Sequence, residues 1–305
     1  MTEFAAVADA AGLFEHFGVR PTERHSCYQW SPVFRAEHDG EAVVLKRTAP
    51  LIADWCRRLS AQGFPVVVPV RLDTANPARV DGEDWVVYPW VDGRRYDGSP
   101  ADIAATGDLL GRLHALGGTE LRPFTWPTYE PGEPAKDLPE LRQKFGEHAP
   151  EHLDAIMARL EPLGEGFESS TLPAIRDAGL PVVDATMDFK ANNLVFTGDG
   201  PVLIDPDNGE CLPRVLDLAL AALMFHMEDT PDKPFTTAEW ITFRDAYSAH
   251  VELTDAEVAA WPDAVDYMLW EFGTWAMADS SEWHVARQRS FLIGLAQVRA
   301  DDFPV

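Results

Sequence analysis

Two carboxylates and one carboxamide between Val182 and Asp217 carry the chemistry this sequence can do. Asp188 and Asn193 fall on a short polar loop, DFKANN. An apolar run from Leu194 to Phe196, a tight turn and a second run from Val202 to Ile204 then lead to Asp205. A carboxylate that can take a proton, followed by an amide and an acid that can share a divalent cation, is the minimum set for moving a phosphoryl group from ATP to a hydroxyl. Asp188 is the candidate base. Asn193 and Asp205 are the candidate ligands of Mg²⁺, which prefers a few hard oxygens alongside phosphate oxygens. Asn193 also reads as a turn residue, but a carboxylate at the end of a buried strand, as Asp205 would be, is costly without a task. Lys190 admits two readings, a cation for the charge that develops on the transferring phosphate or a solvated loop lysine.

These residues need elements to hold them. After an amphipathic opening helix, Ser26–Ala36 and Ala42–Lys46 are β-forming runs joined through Asp39-Gly40, a hairpin signal. A helix is expected over Leu51–Ala61, closed by Gly63, followed by Val66–Leu72, a polar turn and a last run over Asp84–Trp90. Residues 1–91 therefore read as a small antiparallel sheet with one packed helix. Ser99-Pro100 opens a helix that ends at Gly117-Gly118. A proline-rich stretch to Pro139 reads as loop, and everything beyond Pro213 as helical. Thr236 with Glu239 and Thr254 with Glu257 have capping-box spacing. Trp261–Ala278 and Trp283–Val298 read as long aromatic-rich segments packed on each other.

The 305 residues, 46% hydrophobic, suffice for one large domain or two lobes with a substantial core. A formal net charge of −25 argues against nucleic acid or an anionic membrane as partner, since phosphates need a basic footprint. It suits a cationic substrate, and it equally suits a merely solvated acidic surface. Three scattered cysteines, an acidic N-terminal helix and the lack of any bilayer-length apolar run lead to the expectation of a cytoplasmic protein with reduced thiols and no membrane partner.

In this order and spacing, VVLKR (Val43–Arg47), WVVYPWVDGR (Trp85–Arg94), LLGRLHALG (Leu109–Gly117), DFKANNLVF (Asp188–Phe196), LIDPDNGE (Leu203–Glu210) and DLAL (Asp217–Leu220) resemble the aminoglycoside phosphotransferase/choline kinase-type enzymes, the small-molecule branch of the protein-kinase-like fold. The resemblance implies an α+β, bilobal architecture, with an antiparallel-sheet N-lobe over residues 1–91 and a larger, mostly helical C-lobe over residues 92–305. It implies that Lys46 contacts the ATP phosphates and that an acid on the following helix, Asp54, holds it. Backbone groups near Tyr88 and Trp90 would hold adenine. Asp217 and His114 would brace the catalytic loop. The acceptor would lie against the C-terminal helices, where Asp207, Glu210, Glu271, Asp279 and Glu282 could meet an ammonium group. Trp270 and Trp275 could stack there or belong to the core.

The expected function is ATP- and Mg²⁺-dependent O-phosphorylation of a small hydroxylated molecule, an aminoglycoside-like or other cationic antibiotic in resistance or self-protection. A metabolite kinase for an amino alcohol, sugar or nucleoside and a catalytically silent nucleotide-binding protein are the rivals. The silent reading comes from a departure: Thr186 stands where such enzymes have a histidine, two positions before the catalytic acid. A glycine-rich phosphate loop is also missing.

Overall fold

A computed structural model of the chain describes residues 10–28, 31–227, 231–279 and 283–305. Two compact units are found, Met1–Arg94 with Val195–Asp207, and Arg95–Leu194 with Asn208–Val305. The first contains α1 (Ala11–Phe17), β1 (Arg20–Pro21), β2 (Val33–His38), β3 (Glu41–Arg47), α2 (Pro50–Ala61), β4 (Ala78–Val80) and β5 (Glu83–Pro89). The chain continues through α3 (Pro100–Leu116), α4 (Leu138–His148), α5 (Leu153–Gly166), α6 (Leu172–Arg176) and β6 (Val182–Ala185). The β7–β8 hairpin follows (Leu194–Thr197, Gly200–Leu203). Then come β9 (Glu210–Pro213), α7 (Arg214–Met224), α8 (Thr237–Tyr247), α9 (Asp255–Met268), α10 (Thr274–Asp279) and α11 (Ala286–Leu295). This is the protein-kinase-like α+β fold that the motifs imply. The first nine residues of the expected opening helix lie outside the described residues.

In the first unit, five antiparallel strands run in the order β1-β2-β3-β5-β4. Asp39 and Gly40, both at positive φ (51° and 86°), make the β2–β3 turn, where left-handed geometry matches strand twist. Strand alternation sends Val43 and Leu45 into a core with Phe14, Phe17, Phe34 and Val87. Lys46, opposite Val86 in the ladder, stands on the other face, beside the cluster of Val67, Val86 and Tyr88. Two expectations need correction. β2 begins at Val33, not Ser26, and Val66–Leu72 forms no sheet strand. Pro69 has no N–H to give a ladder. Its neighbour Val66 instead bridges Leu203, which fixes the end of β8 just before Asp205.

The second unit is built around α7, whose residues from Val215 to Met224 are all buried. Such a helix is apolar on every side, so Asp217 is its exception. The caps are as expected: Ser99 accepts from Asp102 N, and Thr236/Glu239 and Thr254/Glu257 form complete capping boxes. A β6–β9 ribbon was not foreseen. The segment from Trp261 is interrupted by a π-helical turn at Leu269–Gly273, and α9 packs on α7 and α6.

Close approach of α3 and α8 depends on two glycines. A Cβ on Gly107 would sit 2.1 Å from Phe243 O, and one on Gly111 2.6 Å from Tyr247 O. Alanine in a helix interior is ordinarily favoured over glycine by about 1 kcal/mol. Here the backbone carbonyl cannot yield, so Gly111→Ala is expected to destabilise by about 1–3 kcal/mol. Gly12→Ala, with open space around it, serves as the control of opposite sign. Urea midpoints measure both.

Candidate active site

In the first unit, β3 and the end of the β7–β8 hairpin build a charge cluster. Lys46 Nζ lies 2.6 Å from Asp205 Oδ1 and 2.8 Å from Asp207 Oδ2. Thr48 Oγ1, also buried, donates to both Asp207 oxygens at 3.1 and 3.2 Å. Burial alone would lower the Lys46 pKa, but the two carboxylates more than offset it and the net shift is upward. Burial raises the Asp207 carboxyl to about 6, against the pull of Lys46. Asp54 does not take part. It pairs with Arg57 at 2.6 Å on the exposed side of α2. Asp207, expected to face the acceptor, is occupied by Lys46 and Thr48.

Tyr88 is a core residue, its hydroxyl 4.0 Å from Cys56 Sγ. The Trp90 N–H is spent on Ala42 O at 2.9 Å, and the Arg35 guanidinium lies over its ring at 4.3 Å. Trp90 therefore has no backbone donor left for a base. Among the described residues, Val91 and Asp92 have no backbone hydrogen bond.

The second unit holds the loop after β6. Lys190 Nζ lies 2.8 Å from Asp188 Oδ1. Asn193 Nδ2 donates to Asp188 Oδ2 at 3.1 Å and to the Asp188 carbonyl at 2.8 Å. Asp188 is thus gripped at both oxygens. With its nitrogen so committed, Asn193 leaves Oδ1 without a hydrogen bond among the described residues. The loop is held in a strained shape: Met187 has φ of 53°, a region costly for a side-chain-bearing residue. Asp217 holds it there, accepting from Met187 N at 2.8 Å and from the Thr186 hydroxyl at 3.3 Å. His114 Nε2 donates to the same carboxylate at 3.0 Å, and Tyr247 OH meets His114 Nδ1 at 3.0 Å. Asp217 and Thr186 are fully buried and His114 nearly so.

Residues 29–261, more than half of the chain, match the phosphotransferase enzyme family. The chain belongs to that family. Among solved structures, a microcompartment-associated aminopropanol kinase is 19% identical over 95% of each chain, with a TM-score of 0.64. An aminoglycoside phosphotransferase from Alicyclobacillus acidocaldarius is 18% identical, covering 93% of this chain and 94% of its own, at 0.58. A spectinomycin phosphotransferase, solved with ADP and spectinomycin, is 12% identical over 97% and 98%, at 0.61. At these identities the likeness establishes fold. No curated protein matches the chain.

The second unit also holds an acidic cavity. A cavity of about 200 Å³ is lined by residues that include Tyr129, Asp137, Glu140, Trp270, Glu271 and Trp275, with no lysine or arginine among the described lining residues. Tyr129 OH donates to Glu271 at 2.5 Å. Burial raises the pKa of Glu271, opposed by that hydrogen bond and assisted by Asp137. Asp137 is raised by burial and by Glu140 and Glu133. The π-helical turn at Leu269–Gly273, a distortion frequent at functional sites, presents Trp270 and Glu271. Glu210 opens β9 and is not among the residues described as lining this cavity. Asp279 is the last residue of α10, and its side chain lies outside the described residues. Glu282 lies outside the described residues, and no described helix is long and apolar enough to cross a membrane. Tyr129, Asp137, Glu140, Thr48 and Tyr247 were missed from sequence. Their positions show no motif, and only Thr48, beside Lys46, lay next to one.

Proposed function

We propose that this phosphotransferase moves the γ-phosphate of ATP, with Mg²⁺, to a hydroxyl of a small cationic molecule. The observation that carries the reading is the Asp188–Lys190–Asn193 loop, which pins one carboxylate by both oxygens and leaves an amide oxygen for a metal. Asp188 would orient the acceptor hydroxyl and take its proton. Lys46 would grip the phosphates, and Val91 and Asp92 are the backbone positions for the base. Each candidate ligand by itself suits a hard cation: Asn193 Oδ1 has no hydrogen bond among the described residues, and the Asp205 side chain is 41% exposed beside its ion pair. When bound with the nucleotide, Mg²⁺ supplies charge neutralisation on the phosphate oxygens. Lys190 would meet charge that develops on the transferring group. The hydroxyl of Thr186 on Asp217 supports an active loop over a silent one, since it braces the backbone without the usual histidine.

Three carboxylates and two tryptophans lining one cavity, with no lysine or arginine among its described lining residues, favour an ammonium-bearing acceptor such as an amino alcohol or a cationic antibiotic. ADP release and mass of the product across a panel of amino alcohols, aminoglycosides and neutral hydroxylated antibiotics test this. Glu271→Gln is expected to raise KM for cationic acceptors about tenfold, the worth of a charge-assisted hydrogen bond, with kcat little changed. Because burial and like charge raise the Glu271 and Asp137 carboxyls, ionisation is lost at a higher pH than for ordinary acids. KM for cations should therefore rise as pH falls through the mildly acidic range, and KM for neutral acceptors should not. Binding of MgATP without phosphorylation of any acceptor would sink the catalytic reading. Preference for neutral acceptors, unchanged in Glu271→Gln, would sink the cationic one.

A further inference from the structure

We propose that Asp207, anchored by Thr48, is the positioning residue that holds Lys46 for the nucleotide, in place of an acid on the helix after β3. The inference rests on the nucleotide reading of Lys46 given above.

The helix cannot supply that acid. Asp54 is the only acidic residue in α2, and it sits with Arg57 at 2.6 Å, its side chain 59% exposed. The buried face of α2 consists of Ile52, Ala53, Trp55, Cys56 and Leu59. A lysine ammonium that is only 7% exposed needs a carboxylate, because an isolated buried charge is strongly disfavoured. Both of its carboxylates come from the segment after β8.

The two are not equivalent. Asp205 is 41% exposed, and Lys46 is its single partner among the described residues. Asp207 is 25% exposed and is tied a second time, through both oxygens, to the Thr48 hydroxyl. Thr48 is itself buried and follows β3 directly, so it moves with the strand that carries Lys46. An acid with one exposed contact can turn to a metal ion at small cost. An acid fixed at both oxygens to the lysine's own strand stays where it is. The geometry thus divides the labour: Asp205 is available to a cation, and Asp207 keeps the lysine in place. Asp207 touches neither nucleotide nor metal in this scheme and acts through Lys46.

A double-mutant cycle separates this role from a general loss of structure, because only residues acting through each other are non-additive. The affinity of a non-hydrolysable ATP analogue with Mg²⁺ is measured by calorimetry. The proteins are wild type, Lys46→Met, Asp205→Asn, Asp207→Asn, Asp54→Asn and the doubles of Asp207→Asn and Asp54→Asn with Lys46→Met. Lys46→Met is expected to weaken binding about tenfold in the wild type and in Asp54→Asn, but less than about threefold in Asp207→Asn, the size of coupling found for contacting charges. Repeating the titrations without Mg²⁺ gives a second readout. Asp207→Asn should keep the tightening by Mg²⁺, whereas Asp205→Asn should lose it. Should Asp207→Asn not fold, Thr48→Val removes the anchor while leaving every charge, and it should reduce the Lys46→Met effect in the same direction.

Full additivity of Lys46→Met with Asp207→Asn would overturn the proposal, as would coupling to Asp54 or loss of the Mg²⁺ effect in Asp207→Asn. An unaltered affinity in Lys46→Met alone would instead overturn the nucleotide reading on which it rests.

Discussion

Asp188→Ala is expected to lower turnover by about 10³-fold while MgATP binding survives, the size expected for removing a positioned general base. The second half of that statement is the more demanding. Asn193, the neighbouring metal-ligand candidate, is tethered twice to Asp188, once to its carboxylate at 3.1 Å and once to its backbone carbonyl at 2.8 Å. Truncation to alanine removes only the first tether. The 3₁₀ turn over Ala191–Asn193 also stays fixed, because Ala191 N donates to Phe225 O at 2.9 Å at the end of α7. The amide of Asn193 should therefore keep its orientation, and the nucleotide its metal. Steady-state turnover with the best acceptor, together with calorimetry of a non-hydrolysable analogue, checks both halves. Residual turnover within tenfold of wild type would remove Asp188 from the base role. Loss of nucleotide binding would instead mean that the carboxylate organises the site as a whole.

The loop and its neighbours were legible because their residues are constrained locally. Asp188, Lys190 and Asn193 lie within six consecutive positions, so a single turn suffices to bring them together. The caps of α3, α8 and α9 were legible for the same reason, each being a contact three residues apart. Lys46 could be placed on the strand face away from the core because alternation in β3 is a property of the backbone. What sequence could not show was which distant partner each side chain meets. Lys46 lies 159 positions from its Asp205 partner, and no pattern in α2 says that its one acid faces solvent. The failure at Val66–Leu72 has a different origin. Apolar composition there reflects burial, and Pro69 withholds a ladder bond, so a strand-like run became a strap that fixes Leu203. The acidic cavity stayed hidden because Tyr129, Asp137, Glu140 and Glu271 come from a loop, the start of α4 and a distorted helical turn far along the chain.

Asp217→Asn is expected to cost about 3–5 kcal/mol of stability, the range for breaking a buried charge from its partners. It should also slow turnover in the fraction that remains folded. Asp217 is fully buried and accepts from Met187 N, the Thr186 hydroxyl and His114 Nε2. Every one of these groups donates. An amide of the same shape must present its own NH₂ to at least one of them, so a buried donor faces a donor and both lose their partner. The weakest element then yields, and that is Met187, whose left-handed φ of 53° is held only by what surrounds it. Relaxation of Met187 would swing the adjacent Asp188, the candidate base, and so would couple the stability loss to turnover. Thr186→Val removes one neutral donor and should cost only about 1 kcal/mol, with turnover reduced modestly. The site left by Thr186, with no exposed surface and Asp217 against it, has no room for the larger histidine ring. Thr186→His should therefore damage the loop, although it restores the residue the family resemblance expects. Guanidinium unfolding and kcat, taken below each variant's transition, separate the two effects. If Asp217→Asn is as stable as wild type, or Thr186→His is faster than it, the bracing assigned to the Asp217 carboxylate is wrong.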